Sequence, residues 1–283
     1  MVISGKAKLA GVMGWPVGHS LSPRLHNYWL GEYDIDGAYV PLPVKPADLE
    51  DALRALPRLG FKGVNLTVPH KEAAAGIVDR LDKAAERVGA VNTVVVTPAG
   101  ELIGDNTDGY GFIENLKADA PAGWKVDRGP AVVLGAGGAA RAIAVALADA
   151  GAREIRIVNR SRDRGRALVR DLGRGTVYVP WTERASVLKD AALLVNATSL
   201  GMAGGAALDI GLDALPVKAV VNDIVYSPLK TPLLKAAAKR GNPTVDGIGM
   251  LLHQARPGFR DWFGVRPKVT PALKAYVLKG LDK

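Results

Sequence analysis

"AVVLGAGGAARAIAVALADAG", residues 131–151, decides the fold. Its first four residues, Ala131 to Leu134, form an apolar run of strand type. Gly135-Ala136-Gly137-Gly138-Ala139-Ala140 then turns the chain, and small residues carry it away as a helix. The turn is a variant of the glycine fingerprint of nucleotide-binding β–α units, with alanine at the last position, which that pattern tolerates. Backbone N–H groups at the start of such a helix receive a pyrophosphate, helped by the helix dipole. A glycine turn can also be no more than a turn. Here the strand before it and the helix after it favour the nucleotide.

The end of the next strand chooses between nucleotides. "EIRIVNR" closes with Asn159 where an NAD site places an acidic residue on the ribose 2′-hydroxyl. Arg160, Ser161, Arg162, Asp163 and Arg164 follow. A carboxylate at that point would repel a 2′-phosphate, whereas guanidinium groups hold it in charge-assisted bonds. The single Asp163 is outweighed by its neighbours, and NADP(H) is the expected cofactor. A solvated basic helix start is the plainer alternative, and the helix dipole disfavours it.

Strand and helix patterns alternate on both sides of this unit. "KLAGVMG", "AYVPLPV" and "KGVNLTV" read as strands in the first part, and "AVNTVVVTPAGELIGDNTD" as a hairpin turning at Pro98-Ala99-Gly100. Ser22-Pro23 opens a helix with serine as its cap, "PADLEDALRALPRLG" is a helix closing at Gly60, and Lys71 to Val88 is helical material. A Pro/Gly-bearing linker at 120–130 precedes the nucleotide unit. "AALLVNAT" and "VKAVVNDIVY" add two later strands, and the chain from Asp246 is helical, with no local sign of where it packs.

Composition narrows the chemistry. The chain has 283 residues, room for one or two domains. It lacks cysteine, which excludes disulfides, thiolate nucleophiles and cysteine-held metals. His19, His26, His70 and His253 have no metal-site spacing, so no metal is expected. The N-terminal stretch is broken by Lys6 and Lys8 and no apolar run approaches membrane-spanning length, so a cytoplasmic protein is expected. The net charge of +9 is compatible with an anionic small molecule. No aromatic-interleaved basic stretch supports a nucleic-acid partner.

The first part also carries polar residues that a fold does not require. In "GVNLTVPHK", residues 63–71, Asn65 and Thr67 share one face of a strand, and Lys71 follows once Pro69 has ended it. That sets an amide, a hydroxyl and an ammonium at one sheet edge. "GHSLSP" puts Ser20 and Ser22 on one side of an extended segment, "VNT" supplies Asn92 and Thr93, and "DNTDG" supplies Asp108.

With these segments in view the chain resembles the shikimate dehydrogenase family. "GWPVGHSLSPRLHN", "GVNLTVPHKE", "GAVNT", "GDNTDGYGF", "GAGGAARA", "NRS", "NATSLGM", "DIVYSPLKTPLL" and "DGIGMLLHQA" match its successive motifs in order, over roughly residues 11 to 255. The resemblance implies two α/β domains with the active site in the cleft between them. Residues 1–108 and 246–283 would form the shikimate-binding domain, and 109–245 a Rossmann NADP-binding domain. It implies substrate contacts from Ser20, Ser22, Asn65, Thr67, Asn92, Asp108, Tyr226 and Gln254. Lys71 and Asp108 would be the catalytic pair. Gly135, Ala136, Gly137, Gly138, Ala139, Asn159 to Arg164, Ile224 and Gly247 would line the cofactor. Two features depart from the pattern: Trp15 stands where many members have Asn, and Pro257-Gly258 should kink or end the helix after Gln254.

The implied reaction is the reversible reduction of 3-dehydroshikimate by NADPH, a step towards chorismate and the aromatic amino acids. Lys71 would exchange the proton of the reacting oxygen and Asp108 would orient the ammonium. A quinate/shikimate dehydrogenase with broader substrate or NAD use is the nearest alternative, and Ser22 with the arginine cluster weighs against it. A non-catalytic nucleotide sensor is a more distant one, disfavoured by the presence of both Lys71 and Asp108. A small-molecule substrate is the expected partner, with neither nucleic acid nor membrane, and the chain a monomer or homodimer.

Overall fold

The structure is a computed structural model and describes residues 3–281. Residues through Thr107, with the chain from Gln254 onward, form one compact unit, and Asp108–His253 form another.

In the first unit the elements are β1 (Lys8–Gly14), α1 (Ser22–Glu32), β2 (Gly37–Pro43), α2 (Leu49–Ala55), β3 (Phe61–Leu66), α3 (Lys71–Ala74), β4 (Arg80–Leu81), α4 (Lys83–Val88), β5 (Thr93–Val96) and β6 (Leu102–Asp105). They build a six-stranded mixed sheet in the order β2-β1-β3-β5-β6-β4. Helical crossovers keep β1, β2 and β3 parallel, and β5 and β6 are the antiparallel hairpin expected around Gly100, whose φ of 87° suits only glycine well. Leu49, Leu53 and Leu56 pack with Met13, Val64, Leu66, Val94 and Leu102 in one core cluster.

The second unit contains α5 (Asp108–Asp119), β7 (Ala131–Leu134), α6 (Gly138–Asp149), β8 (Ile155–Asn159), α7 (Arg162–Leu172), β9 (Thr176–Pro180), β10 (Leu193–Asn196), β11 (Val220–Asp223), α8 (Pro232–Arg240) and β12 (Thr244–Val245). Its six strands are all parallel, in the order β12-β11-β10-β7-β8-β9. β7, β10 and β11 are buried along their whole length, as strands covered on both faces must be. One apolar cluster holds Phe112, Ile143, Leu147 and Leu168, and another holds Leu188, Leu212, Leu233 and Leu234. The strand order reverses between β7 and β10, the point at which sheets of this kind take up ligands. Two further helices, α9 (Ile248–Phe263) and α10 (Pro271–Leu278), close the chain.

Four local expectations are corrected. The stretch from Lys71 to Val88 is not one helix: Arg80 and Leu81 pair with Ile103 and Gly104 of β6, and Asp82 restarts the helix by accepting the Ala84 N–H at 2.9 Å. The β6 edge would otherwise leave backbone groups unpaired. Ser22 is not the cap of α1; Leu21 occupies that position, and the Ser22 N–H donates to Ser20 Oγ at 3.3 Å. The second helix ends at Ala55 rather than near Gly60, just before Pro57.

Finally, α9 does not end at Pro257: the helix spans Ile248–Phe263 with the proline inside it. Proline forfeits a backbone bond at a cost of about 3 kcal/mol. Beyond it, Phe259, Trp262 and Phe263 are buried, each such side chain returning roughly 1.5–3 kcal/mol. The adjoining Gly258 lets the Trp262 ring approach, since a Cβ there would lie 2.9 Å from it. The Trp262 indole N–H donates to the Val94 carbonyl at 3.0 Å.

Among the described residues no helix is long and apolar enough to cross a membrane.

Candidate active site

In the first unit the polar residues singled out along the sequence converge on the ends of β3, β5 and β6. Asn65, near the end of β3, is 5% exposed. Its Nδ2 donates to the Asn92 carbonyl and to Thr93 Oγ1, both at 3.1 Å, while its Oδ1 accepts the Tyr39 hydroxyl at 2.6 Å. Asn92, buried just before β5, accepts the Thr107 N–H and the Thr93 hydroxyl on Oδ1, each at 2.9 Å. Its Nδ2 faces Gln254 Oε1 at 3.4 Å. Thr107 Oγ1 lies at the same distance from that oxygen. Asn65, Asn92 and Gln254 thus belong to one buried network, threaded by Thr93 and Thr107.

The neighbouring groups are set by the same strand ends. Thr67 continues β3 by one backbone bond, donating to the Met13 carbonyl at 3.0 Å, and packs on Gly14, where a Cβ would lie 2.5 Å from its methyl group. Lys71 is the first residue of α3 and half-buried, and its carbonyl accepts the Val91 N–H at 2.8 Å, which seats the helix start beside Asn92. Ser20 and Ser22 are joined by the backbone bond already described, with Ser22 buried and Ser20 half-buried. Trp15 is 43% exposed, with its N–H on the Val68 carbonyl at 3.1 Å and Lys45 Nζ 5.8 Å from its ring centre.

Two aromatic residues underlie this network. Burial pushes His26 down to about 3, so its imidazole is neutral at physiological pH. Burial drives the Tyr39 phenol well above its ordinary value, opposed by a hydrogen bond from Ser22. Neither residue stood out in the sequence, because each looks like an ordinary aromatic core position.

The second unit presents a separate group at the carboxyl ends of β7 and β8. Gly135 has φ 112°, and a Cβ there would meet the Ala197 carbonyl at 3.1 Å, so the turn demands glycine. Gly137 caps α6, with no side chain accepting from the first-turn N–H groups. A Cβ on Gly137 or Gly138 would meet nothing within 4 Å. Open space in front of a helix start that no side chain caps fits a pyrophosphate. Ala136 and Ala139 border that turn, both half-buried.

β8 runs parallel to β7, with Val158 beside Leu134, so Asn159 and the arginines emerge next to the glycine turn. Asn159 Nδ2 donates to the Ser161 carbonyl at 2.8 Å, and Ser161 Oγ accepts the Arg164 N–H at 3.4 Å as the cap of α7. Arg160, Arg162, Asp163 and Arg164 are exposed. The residues therefore fit an NADP adenosine phosphate, with Ser161 serving the helix as well.

Ile224 donates its N–H to the Asn196 carbonyl at 3.1 Å and lies against Gly247, where a Cβ would come 2.3 Å from the Ile224 carbonyl. Tyr226 is half-buried, which raises its phenol above the ordinary value. Asp108 is the first residue of α5, 6% exposed, and groups with the second unit. The sequence reading missed Asp223, which is fully buried and accepts from Asn196 Nδ2 at 2.9 Å, the Val225 N–H at 3.0 Å and the Thr231 hydroxyl at 2.7 Å. Asn196 and Asp223 both end apolar strands, the same signal that marks Asn65 in β3. Among the described residues no three His, Asp or Glu side chains gather as a metal site.

Comparison with known proteins agrees with both halves. Residues 12–94 match the family described as shikimate dehydrogenase substrate binding domain, and residues 120–202 match shikimate / quinate 5-dehydrogenase. The chain is 60% identical to a shikimate dehydrogenase (NADP(+)) of Paramagnetospirillum magneticum, over 98% of this chain and 100% of that one. It is similar in structure to shikimate 5-dehydrogenase of Thermus thermophilus in complex with NADP(H) and shikimate, with TM-score 0.85 and 37% identity over 96% and 99% of the two chains. It is also similar to quinate dehydrogenase of Corynebacterium glutamicum in complex with NAD, with TM-score 0.88 and 33% identity over 96% and 99%.

Proposed function

The chain belongs to the shikimate dehydrogenase family, and from that premise we propose that it catalyses the reversible, NADPH-dependent reduction of 3-dehydroshikimate to shikimate. The observation that carries the reading is the buried network of Asn65, Asn92, Thr93, Thr107 and Gln254. Such a set of fixed amides and hydroxyls suits a small ligand rich in hydroxyls, which can both donate to and accept from them.

Ser20, Ser22, Asn65, Thr67, Asn92, Asp108 and Gln254 bind the substrate's carboxylate and hydroxyls, and Tyr226 reaches it from the cofactor side. The glycine turn from Gly135 to Ala139 takes the pyrophosphate on backbone N–H groups. Arg160, Arg162 and Arg164, with Asn159 and Ser161, take the adenosine 2′-phosphate. Ile224 and Gly247 shape the wall beside the nicotinamide. NADPH supplies the hydride when bound.

The protein's own chemical task is one proton. As the carbonyl carbon of 3-dehydroshikimate is reduced, its oxygen gains charge, and the Lys71 ammonium delivers a proton to that oxygen. In the oxidative direction the lysine amine takes the proton back. Asp108 orients the ammonium and lowers the energy of its charged form. The protein works in the cytoplasm as a monomer or homodimer.

Shikimate oxidation with NADP⁺ tests the reading, followed by nicotinamide absorbance, with quinate and NAD⁺ in parallel. Turnover confined to shikimate with NADP⁺ is expected. Equal turnover of quinate, or equal use of NAD⁺, would overturn the specificity, and inactivity with every pair would overturn the reaction.

A further inference from the structure

The protons of the Asn65 network can be placed without choice. The Asn92 carbonyl can only accept, so the Asn65 atom facing it at 3.1 Å is the amide nitrogen. The second proton of that nitrogen goes to Thr93 Oγ1. Oδ1 therefore faces Tyr39, and the phenol is the donor across 2.6 Å. Both amide protons of Asn65 are used and Oδ1 accepts from Tyr39, so the residue can offer a ligand no donor and can meet it only through Oδ1.

Nothing in β3 itself holds the amide this way round on the Oδ1 side; Tyr39 of β2 does. Its ring is clamped. His26 of α1 stacks on it with centroids 4.0 Å apart and planes within 2° of parallel. Trp262 of α9 lies 6.0 Å away at 42°. The His26 ring is fully buried beside Asn65, and neither nitrogen makes a hydrogen bond of good geometry. Ser22 is a second polar neighbour of the phenol, so one hydroxyl touches residues from both the serine segment and β3.

We propose that Tyr39 is a positioning residue of the substrate site: by donating to Asn65 Oδ1 it holds that amide with its oxygen, and not its nitrogen, presented to a substrate hydroxyl. The proposal rests on the reading of Asn65 as a substrate contact. It predicts an electronic preference as well as a shape. At Asn65 the site takes a hydroxyl, which can donate, and refuses a carbonyl or carboxylate oxygen, which cannot.

A double-mutant cycle tests this with Tyr39→Phe, Asn65→Ala and the pair, using the whole enzyme in shikimate oxidation with NADP⁺. Tyr39→Phe keeps the ring and its stack, and thermal unfolding of each variant checks that it folds. The expected result is a rise of about 10-fold in KM for shikimate in Tyr39→Phe, the worth of one buried hydrogen bond. KM for NADP⁺ should stay as in the parent, and kcat should change by less than about threefold. In the Asn65→Ala background the Tyr39 change should add almost nothing, because its only route to the substrate is gone.

An unchanged shikimate KM in Tyr39→Phe overturns the proposal, and so do effects that multiply in the pair, since Tyr39 would then act independently of Asn65. If Asn65→Ala raises KM and Tyr39→Phe does not, only the positioning role fails. If Asn65→Ala itself leaves KM unchanged, the substrate-contact reading of Asn65 fails and the proposal with it. Should Tyr39→Phe not fold, shikimate analogues provide the second measurement. Replacing one ring hydroxyl by fluorine, which cannot donate, should raise KM about 10-fold at a single ring position in the parent and not in Asn65→Ala, and a rise of equal size in both would overturn the proposal.

Discussion

Asp223 and Thr231, eight residues apart, meet through their side chains at 2.7 Å in a fully buried setting. Thr231 caps α8 by accepting the Leu234 N–H at 3.3 Å, so its own hydroxyl proton is available for the carboxylate. Asp223 ends β11. The segment between them carries Ile224 and Tyr226, and the Val225 N–H on the same carboxylate fixes its first turn. A strand end and a helix start are thereby locked together around the loop proposed to border the nicotinamide.

That carboxylate makes stability depend on pH. Burial raises Asp223 to about 6, above the ordinary 3.8, so its charged form is disfavoured in the folded protein at neutral pH. Between about pH 4 and 6 the folded state holds a proton that the unfolded state has lost. Stability from this group therefore rises as the pH falls through that window, with a slope of at most ~1.4 kcal/mol per pH unit. Urea unfolding of the parent and Asp223→Asn at pH 7 and pH 4.5 measures it. The parent is expected to gain on the variant at the lower pH, and a difference that does not change with pH would contradict the assignment.

Lys71→Ala should separate turnover from binding. Loss of a proton donor typically removes 10²–10⁴-fold of rate, so kcat is expected to fall by roughly that factor. Shikimate affinity, measured by equilibrium titration, should weaken by less than about 10-fold, because a lysine-to-alanine change removes one of many polar contacts. Near-parental kcat would remove Lys71 from the proton step.

Gly137→Ala isolates the cofactor turn from the fold. The backbone there has φ −88° and ψ −176°, which alanine adopts without strain, and its Cβ would meet no protein atom. The melting temperature should stay within a degree or two, roughly the effect of a neutral surface change. KM for NADP⁺ should rise by about 10-fold or more, because the methyl group stands where the pyrophosphate approaches the backbone. Unchanged KM would move the phosphate elsewhere.

Arg160→Ala with Arg164→Ala should weaken NADP⁺ far more than NAD⁺. Each charge-assisted bond to a phosphate is worth about 1.5–3 kcal/mol, so a loss of 10²-fold or more is expected for NADP⁺. For NAD⁺, which lacks the 2′-phosphate, a change under about threefold is expected. Calorimetric titration of both nucleotides decides it, and equal losses would show that the arginines bind something other than that phosphate.

The strongly patterned elements were legible in the sequence. β7, the glycine turn and α6 announce themselves because an apolar run, a glycine cluster and a small-residue helix are each a local necessity. The same holds for the hairpin at Gly100 and for Asn65, whose polarity contradicts its strand. Three strands were not foreseen. β4 and β12 have two residues apiece and exist only because a neighbouring edge offers partners; β9, at the sheet's edge, is mostly not buried and carries no clean alternation. The cap of α1 is not legible in the sequence, because the position falls to Leu21, which has no side-chain acceptor and is set by the backbone path alone.

By itself the sequence determined which residue types stand at each strand end, and so the family, the cofactor preference and the candidates for the site. Those follow from short-range pattern: periodicity, glycine placement and charge. The tertiary structure alone decided how those candidates are wired. That the Tyr39 phenol donates to Asn65, that α9 continues past Pro257, and that Asp223 clasps Thr231 are consequences of burial. Burial removes water as a competing partner, and the residue that then fills a hydrogen bond is whichever one the fold brings within about 3 Å, however far away it lies along the chain.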